Sequence, residues 1–246
     1  NNLQGVWAVQ KSILQEYKRD IMKYKRDDSS QKLYIDEVFQ LIPSELNAKN
    51  KRFILKSLNE KARFASYENS FLWLRDAGVA LPTYNVEEPK QPLLLAKTRN
   101  LFKLFQSDVG LLTSQFADGI QLKLLADNQV INYGAIYENV VAQELKAHGF
   151  DLYYYNSKRL GELDFVVEYH GHVLPIEVKS GKDYERHNAL SNVMSSAEYA
   201  LPEALVLCNG NVSVDGKVVY MPIYMLMFLE KDQAVNVTYK LDLSDL

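Results

Sequence analysis

The sequence predicts an α/β protein: a mostly helical N-terminal part followed by a mixed β-sheet flanked by helices. Three observations carry this. Apolar residues recur at helical spacing through roughly the first 80 positions. Short runs that alternate apolar and polar residues, bounded by glycine turns, then cluster between residues 151 and 208. Helical patterns stand on both sides of that cluster, which is the signature of sheet strands packed under helices.

The elements follow in order. Ala8 to Lys25 alternates apolar and charged residues at helical period, and Lys25 to Ser30 reads as a solvated linker. Helices are expected from Leu33 to Leu41 and from about Arg52 to Asn59. A third begins with Ser66 as N-cap, presents the stripe Phe71, Leu72, Leu74, and closes at Gly78. Leu81–Val86 and Pro92–Thr98 are short extended runs around a polar turn, the layout of a wing. A trihelical unit with a wing is a helix-turn-helix variant whose third helix meets the DNA major groove. Glu68, Asp76 and the single Arg75 make that face a poor phosphate surface, so a protein-docking or linker module is the competing reading. The second domain is expected to start near Gly119, giving a helical linker at 1–30, a winged-helix-like domain at 31–118 and a sheet domain at 119–246.

In that second domain Tyr133 to Leu145 reads as a helix ended by Gly149, which tolerates a left-handed cap. Glu138 shares its stripe with Val141, Ala142 and Leu145 and therefore faces the interior. Strands are expected at Asp151–Asn156, Glu162–Tyr169 and His172–Lys179, then a helix from Tyr184 to Tyr199, a strand at Ala204–Leu207 and a final helix whose packed face is Tyr224, Met225, Met227 and Phe228. If Tyr169 and His172 close a two-residue turn at His170-Gly171, Asp164 lies opposite Glu177, and Lys179 projects to the same side as Glu177. A three-residue turn would shift the register by one and spoil that opposition. Two carboxylates beside an ammonium meet the minimum for a hard divalent cation, which takes one or two carboxylates, waters and phosphate oxygens.

Helix acid, strand Asp, then Glu-x-Lys is the order in the PD-(D/E)XK nuclease fold, and the chain resembles that superfamily from about residue 130 to 230. Gly134–Asn139, Tyr153–Tyr155, Glu162–Val167 and Ile176–Gly181 look like the C-terminal region of bacterial and archaeal AAA+ ATPase-like proteins. Lys32–Asn50, Phe71–Val79, Gln91–Leu93 and Asp108–Leu112 are similar to the middle region of the same proteins. The resemblance implies a winged-helix-like module before a restriction-endonuclease-like domain of unknown function, normally preceded by a nucleotide-binding domain. It implies catalytic roles for Glu138, Asp164, Glu177 and Lys179. Asp164 and Glu177 would be Mg²⁺ or Mn²⁺ ligands, helped by the Val178 carbonyl, Glu138 would hold a metal-bound water or a second ion, and Lys179 would position the attacking water or stabilise phosphorane charge. Glu162, two residues before Asp164, is either a further ligand or an exposed acid. Lys158, Arg159, Lys182 and Arg186 are candidates for phosphate contact, with ordinary surface charge as the alternative.

No Gly-x-x-x-x-Gly-Lys-Ser/Thr motif occurs, so ATP is expected only in a missing N-terminal domain, and the start at Asn1 suggests a C-terminal fragment. The composition, 47% hydrophobic and 24% charged, is that of a globular protein. A single cysteine, Cys208 in a strand-like run, excludes an internal disulfide and points to the cytoplasm. No apolar run reaches membrane-spanning length, so no membrane partner is expected. The net charge of −3 argues against a bulk electrostatic grip on DNA and leaves local patches to carry any binding. His170 and His172 bracket a turn away from the acids, His187 lies on a helix near them and faces either substrate or core, and Tyr153–Tyr155 is expected to be core. Two functions follow: a metal-dependent DNA phosphodiesterase coupled to an ATPase, or a catalytically inactive DNA- or protein-binding module that regulates that ATPase.

Overall fold

A computed structural model describes residues 3–23, 29–116, 120–126 and 133–232, with side chains from 34 onward in the second stretch. The expected start of the second domain near Gly119 and most of the linker at Lys25–Asp28 lie outside the described residues. Three helices open the chain: α1 (Leu3–Lys23), α2 (Ser29–Asn47) and α3 (Phe64–Asp76). On α2, Ile35, Val38, Phe39, Ile42 and Leu46 are all buried at three- and four-residue spacing. That stripe carries the helix through Pro43 and past the expected end at Leu41. Arg52–Asn59 is not a helix of that length; only Leu55–Ser57 forms a single 3₁₀ turn. Ser66 lies inside α3 rather than capping it, and Arg63 holds the N-cap position.

Gly78 does close α3. Its N–H donates to the Arg75 carbonyl and that of Val79 to Leu74, with Gly78 at φ +69. Gly149 ends a later helix with the same bonding pattern, which needs a residue in the left-handed region.

β1 (Ala80–Val86) and β2 (Lys97–Gln106) form an antiparallel pair. The segment expected to be extended from Pro92 instead makes a 3₁₀ turn over Leu93–Ala96 before β2 begins. The hairpin is not a free-standing wing, because β1 also pairs in parallel with β3 (Tyr153–Ser157). The described residues form one eight-stranded sheet, in the order β2-β1-β3-β4-β5-β6-β8-β7, with β4 (Gly161–Tyr169), β5 (His172–Val178), β6 (Ala204–Cys208), β7 (Ser213–Asp215) and β8 (Val218–Pro222). The helices are α4 (Val109–Ser114), α5 (Ile120–Leu125), α6 (Tyr133–Ala147) and α7 (Asn188–Met194). β7 and β8 have no counterpart in the sequence reading.

Helices cover both faces. α6 and the N-terminal helices share one core with Phe105, Phe165, Ile176 and Leu207, while α7 shares the other with Leu163, Val173, Val206 and Tyr220. Phe71 of α3 sits 4.8 Å from Phe102 and 5.2 Å from Phe53, ring centre to ring centre. Each such aromatic contributes about 1.5–3 kcal/mol by leaving water. The helix between β5 and β6 is shorter than the expected Tyr184–Tyr199, spanning Asn188–Met194, and the two strands it joins pair in parallel. The final helix is also corrected: Ile223–Phe228 is 3₁₀, Leu226 is its buried residue, and Tyr224, Met227 and Phe228 are exposed. No helix among the described residues is long and apolar enough to cross a membrane.

Candidate active site

The β4–β5 hairpin turns on His170 and Gly171, at φ +47 and +74, which are the left-handed values of a two-residue turn that matches strand twist. The ladder runs from Tyr169 opposite His172 to Phe165 opposite Ile176, the register that sends Asp164 toward Glu177. There the regular ladder stops. Along β3, Tyr153 pairs with Val166 but Tyr155 with Leu163, so β4 carries one extra residue around Asp164. The Asp164 carboxylate takes over the freed donor, with Oδ2 accepting from the Val178 N–H at 2.8 Å. The next amide, Lys179, donates to Leu207 on the other neighbouring strand. Backbone donors of β5 therefore alternate between neighbours, and Pro175 falls where its missing N–H would face β6, one residue before that pairing begins.

α6 brings the third acid. Asn139 is fully buried and holds both polar groups of Gln106, accepting from its N–H at 2.8 Å and donating to its carbonyl at 3.0 Å. Gln143 accepts from Val109 one turn later. These bonds pin α6 to the end of β2 and place Glu138, 2% exposed, beside Lys103. As expected, Val141, Ala142 and Leu145 are buried on the same helix.

Lys103 is the residue that sequence reading missed. It is completely buried, with Nζ 2.9 Å from Glu162 Oε1, 3.6 Å from Glu138 Oε2 and 4.0 Å from Asp164 Oδ1, and 5.1 Å from the centre of the Tyr154 ring. The signal available in sequence was a lone lysine between Phe102 and Leu104, which reads as an outward residue of an amphipathic strand. Burial works against its charge, but Glu138, Asp164 and Glu162 together outweigh that and hold the ammonium above the usual lysine range. Lys51 pairs with the other Glu138 oxygen, and Arg52 lies 3.7 Å from Glu162. Glu162 also accepts from Asn156, so it is neither a free ligand nor an exposed acid; it is engaged by Lys103, Arg52 and Asn156.

Lys179 Nζ lies 2.7 Å from Glu177 Oε1. Burial, then Asp164, push Glu177 up to about 8 against the pull of Lys179, and burial followed by Asp164 also raises Glu138. Asp164 is thus the shared neighbour of both glutamates. Burial opposes the Lys179 charge, yet Glu177, Asp164 and Glu138 raise it overall, so it stays an ammonium at neutral pH. Glu138 Oε2 and Glu177 Oε2 are buried and accept no hydrogen bond from any described residue. No group of three or more His, Cys, Asp or Glu side chains among the described residues is disposed to hold a metal ion.

The remaining predicted residues divide. Lys158, in the β3–β4 turn, and Lys182 and Arg186, beyond Lys179, are exposed, while Arg159 in the same turn as Lys158 pairs with Glu198 at 3.2 Å. All four stand on the segments that adjoin the start of β4 and the end of β5. His187 does not face substrate: it is buried on the far core, 2.7 Å from the Tyr220 hydroxyl and 3.2 Å from Ser191. His170 and His172 sit at the turn tip, paired with Asp232 and Glu203. Tyr153 and Tyr155 lie in the α7-side core and Tyr154 is buried beneath Lys103.

A family model described as a domain of unknown function (DUF4143) matches residues 133–226, and another, described as a domain of unknown function (DUF8612), matches 1–123. No curated protein and no solved structure matches the chain. The acids at 138–177 therefore come from the segment matched by the first model, whereas Lys51, Arg52 and Lys103 come from the segment matched by the second. The second match spans half of the sequence, and the chain belongs to the DUF8612 family.

Proposed function

We propose that the acidic cluster is the active site of a Mg²⁺- or Mn²⁺-dependent DNA phosphodiesterase, a PD-(D/E)XK-type nuclease, coupled in the intact protein to an ATPase. The observation that carries this is a pair of buried carboxylate oxygens that accept no hydrogen bond from a described residue, Glu138 Oε2, with the Lys103 ammonium 3.6 Å away, and Glu177 Oε2, on residues that both neighbour Asp164. A buried acceptor without a donor is costly, and a cation removes that cost. Asp164, Glu177 and the Val178 carbonyl are hard oxygen donors of the kind Mg²⁺ takes, with substrate oxygens and water completing the shell. A divalent cation there would polarise a phosphate oxygen and make a water more acidic.

The chain's own residues supply the rest. Lys179, kept protonated by Glu177, is suited to stabilise negative charge on a reacting phosphate rather than to remove a proton. Lys103 neutralises Glu138 and Asp164 from within and fixes their separation. Lys158, Lys182 and Arg186 offer exposed cations for flanking phosphates. DUF4143 is commonly found with AAA-type ATPases, which supports the coupling.

One observation favours the second reading, a non-catalytic binding module. Four carboxylates, Glu138, Glu162, Asp164 and Glu177, are matched by Lys51, Arg52, Lys103 and Lys179, a network in which each acid already has a cationic side chain beside it. Incubating the protein with supercoiled plasmid and with single-stranded DNA, in Mn²⁺ and in Mg²⁺, separates the two. Cleavage by the wild type and none by an Asp164→Ala/Lys179→Ala variant is the expected result. No cleavage by either, or equal cleavage by both, defeats the catalytic reading for this chain.

A further inference from the structure

Of the lysines around the acids, Lys103 is sealed in the core and Lys179 extends directly from β5, but Lys51 reaches the site from a turn. The turn lies between α2 and the 3₁₀ turn at Leu55–Ser57. The Lys51 N–H donates to the Ala48 carbonyl at 3.2 Å, and the segment is fixed again at Phe53, whose N–H donates to Phe102, and at Ile54, whose N–H donates to Glu45. Between those anchors Lys51 and Arg52 point across to Glu138 and Glu162. Lys51 holds φ +49, a left-handed backbone that an L-residue with a side chain adopts at a cost. Its side chain is 21% exposed where that of Glu138 is 2%, so Lys51 lies on the solvent side of the carboxylate it covers.

We propose that Lys51 is a displaceable internal counter-ion: its ammonium occupies Glu138 in competition with a divalent cation, and the Lys51–Arg52 turn must lift before Glu138 joins the metal-binding set. This deepens the metal-dependent reading above and rests on it. Glu138 and Glu177 both neighbour Asp164, yet the three do not form a ready cage among the described residues. Each acid faces a lysine, Glu177 meeting Lys179, Asp164 meeting Lys103 and Glu138 meeting Lys103 and Lys51, and of these lysines Lys51 is the one that comes from a turn. A latch of this kind lets whatever moves the N-terminal half, relative to α6, set the affinity of the site.

Mn²⁺ binding by the whole chain, followed by calorimetry and by the loss of the free-ion electron paramagnetic resonance signal, tests this without DNA. Lys51→Gln should bind Mn²⁺ about tenfold more tightly than wild type, since one unit charge a few ångströms from an ionised group is worth about one to three pKa units and each unit is tenfold. Lys51→Arg should behave as wild type, and Asp164→Ala should lose binding. If the Gln variant melts early, Lys51→Gly removes the same charge at a backbone conformation that glycine favours. Equal affinity in wild type and the neutral variants overturns the latch while leaving the metal site standing. No Mn²⁺ binding by wild type or by any Lys51 variant overturns the metal site and the latch with it.

Discussion

Replacing Lys103 by methionine keeps its volume and removes its charge. At an effective dielectric near 20, the Glu162 contact at 2.9 Å is worth about 6 kcal/mol of gross attraction, and those to Glu138 at 3.6 Å and Asp164 at 4.0 Å about 4–5 kcal/mol each. Most of that offsets the desolvation of a side chain with no exposed surface, so the gross figures are not the loss. What the variant does lose is the counter-ion of a buried carboxylate, and breaking one side of such a pair costs about 3–5 kcal/mol. The cost depends on pH with a definite sign. Without Lys103 the Glu138 carboxyl, already raised by burial and by Asp164, loses a cation that lowers it and rises further above its unfolded value. A folded state that holds extra protons loses stability as pH rises through the interval between the two pKa values. Urea unfolding of wild type and Lys103→Met at pH 5 and pH 8 should therefore show a gap that is wider at pH 8. A gap under about 1 kcal/mol at pH 8, or one equal at both pH values, would show that the lysine is not the counter-ion of this cluster.

Two further outcomes are expected. Because burial and Asp164 lift Glu177 to about 8, the metal-free protein should lose stability from about pH 4.5 to pH 8, and Glu177→Gln should flatten that profile when melting temperature is followed against pH; an unchanged slope would refute the assignment. His187→Ala leaves the Tyr220 hydroxyl without its 2.7 Å partner and opens space beside it, so it should cost about 2–3 kcal/mol in urea unfolding while Mn²⁺ affinity stays at the wild-type value.

The sequence by itself determined the parts of the site that are local. The hairpin register follows from a two-residue turn that only left-handed backbone can make, and from side chains that alternate along each strand. Glu138 is interior because it shares a helical stripe with Val141, Ala142 and Leu145, all buried. The misjudged elements lie where local pattern competes with tertiary contact. The 184–199 segment has helical spacing, but Arg186 and Tyr184 lie in turns before the buried His187, whose bond to Tyr220 sets the entry to α7. The extended runs at 81–98 look like a separate hairpin until β1 finds β3, a partner almost 70 positions later. Tertiary structure alone decided that Lys103 and Lys51 enter the acidic cluster. Their partners lie far along the chain, in a segment matched by a different family model, and no periodicity within a strand or turn records which charge waits across the core. Coulombic attraction in a dry interior is strong but carries no sequence spacing, so it becomes visible only when Asn139 has docked α6 against the end of β2.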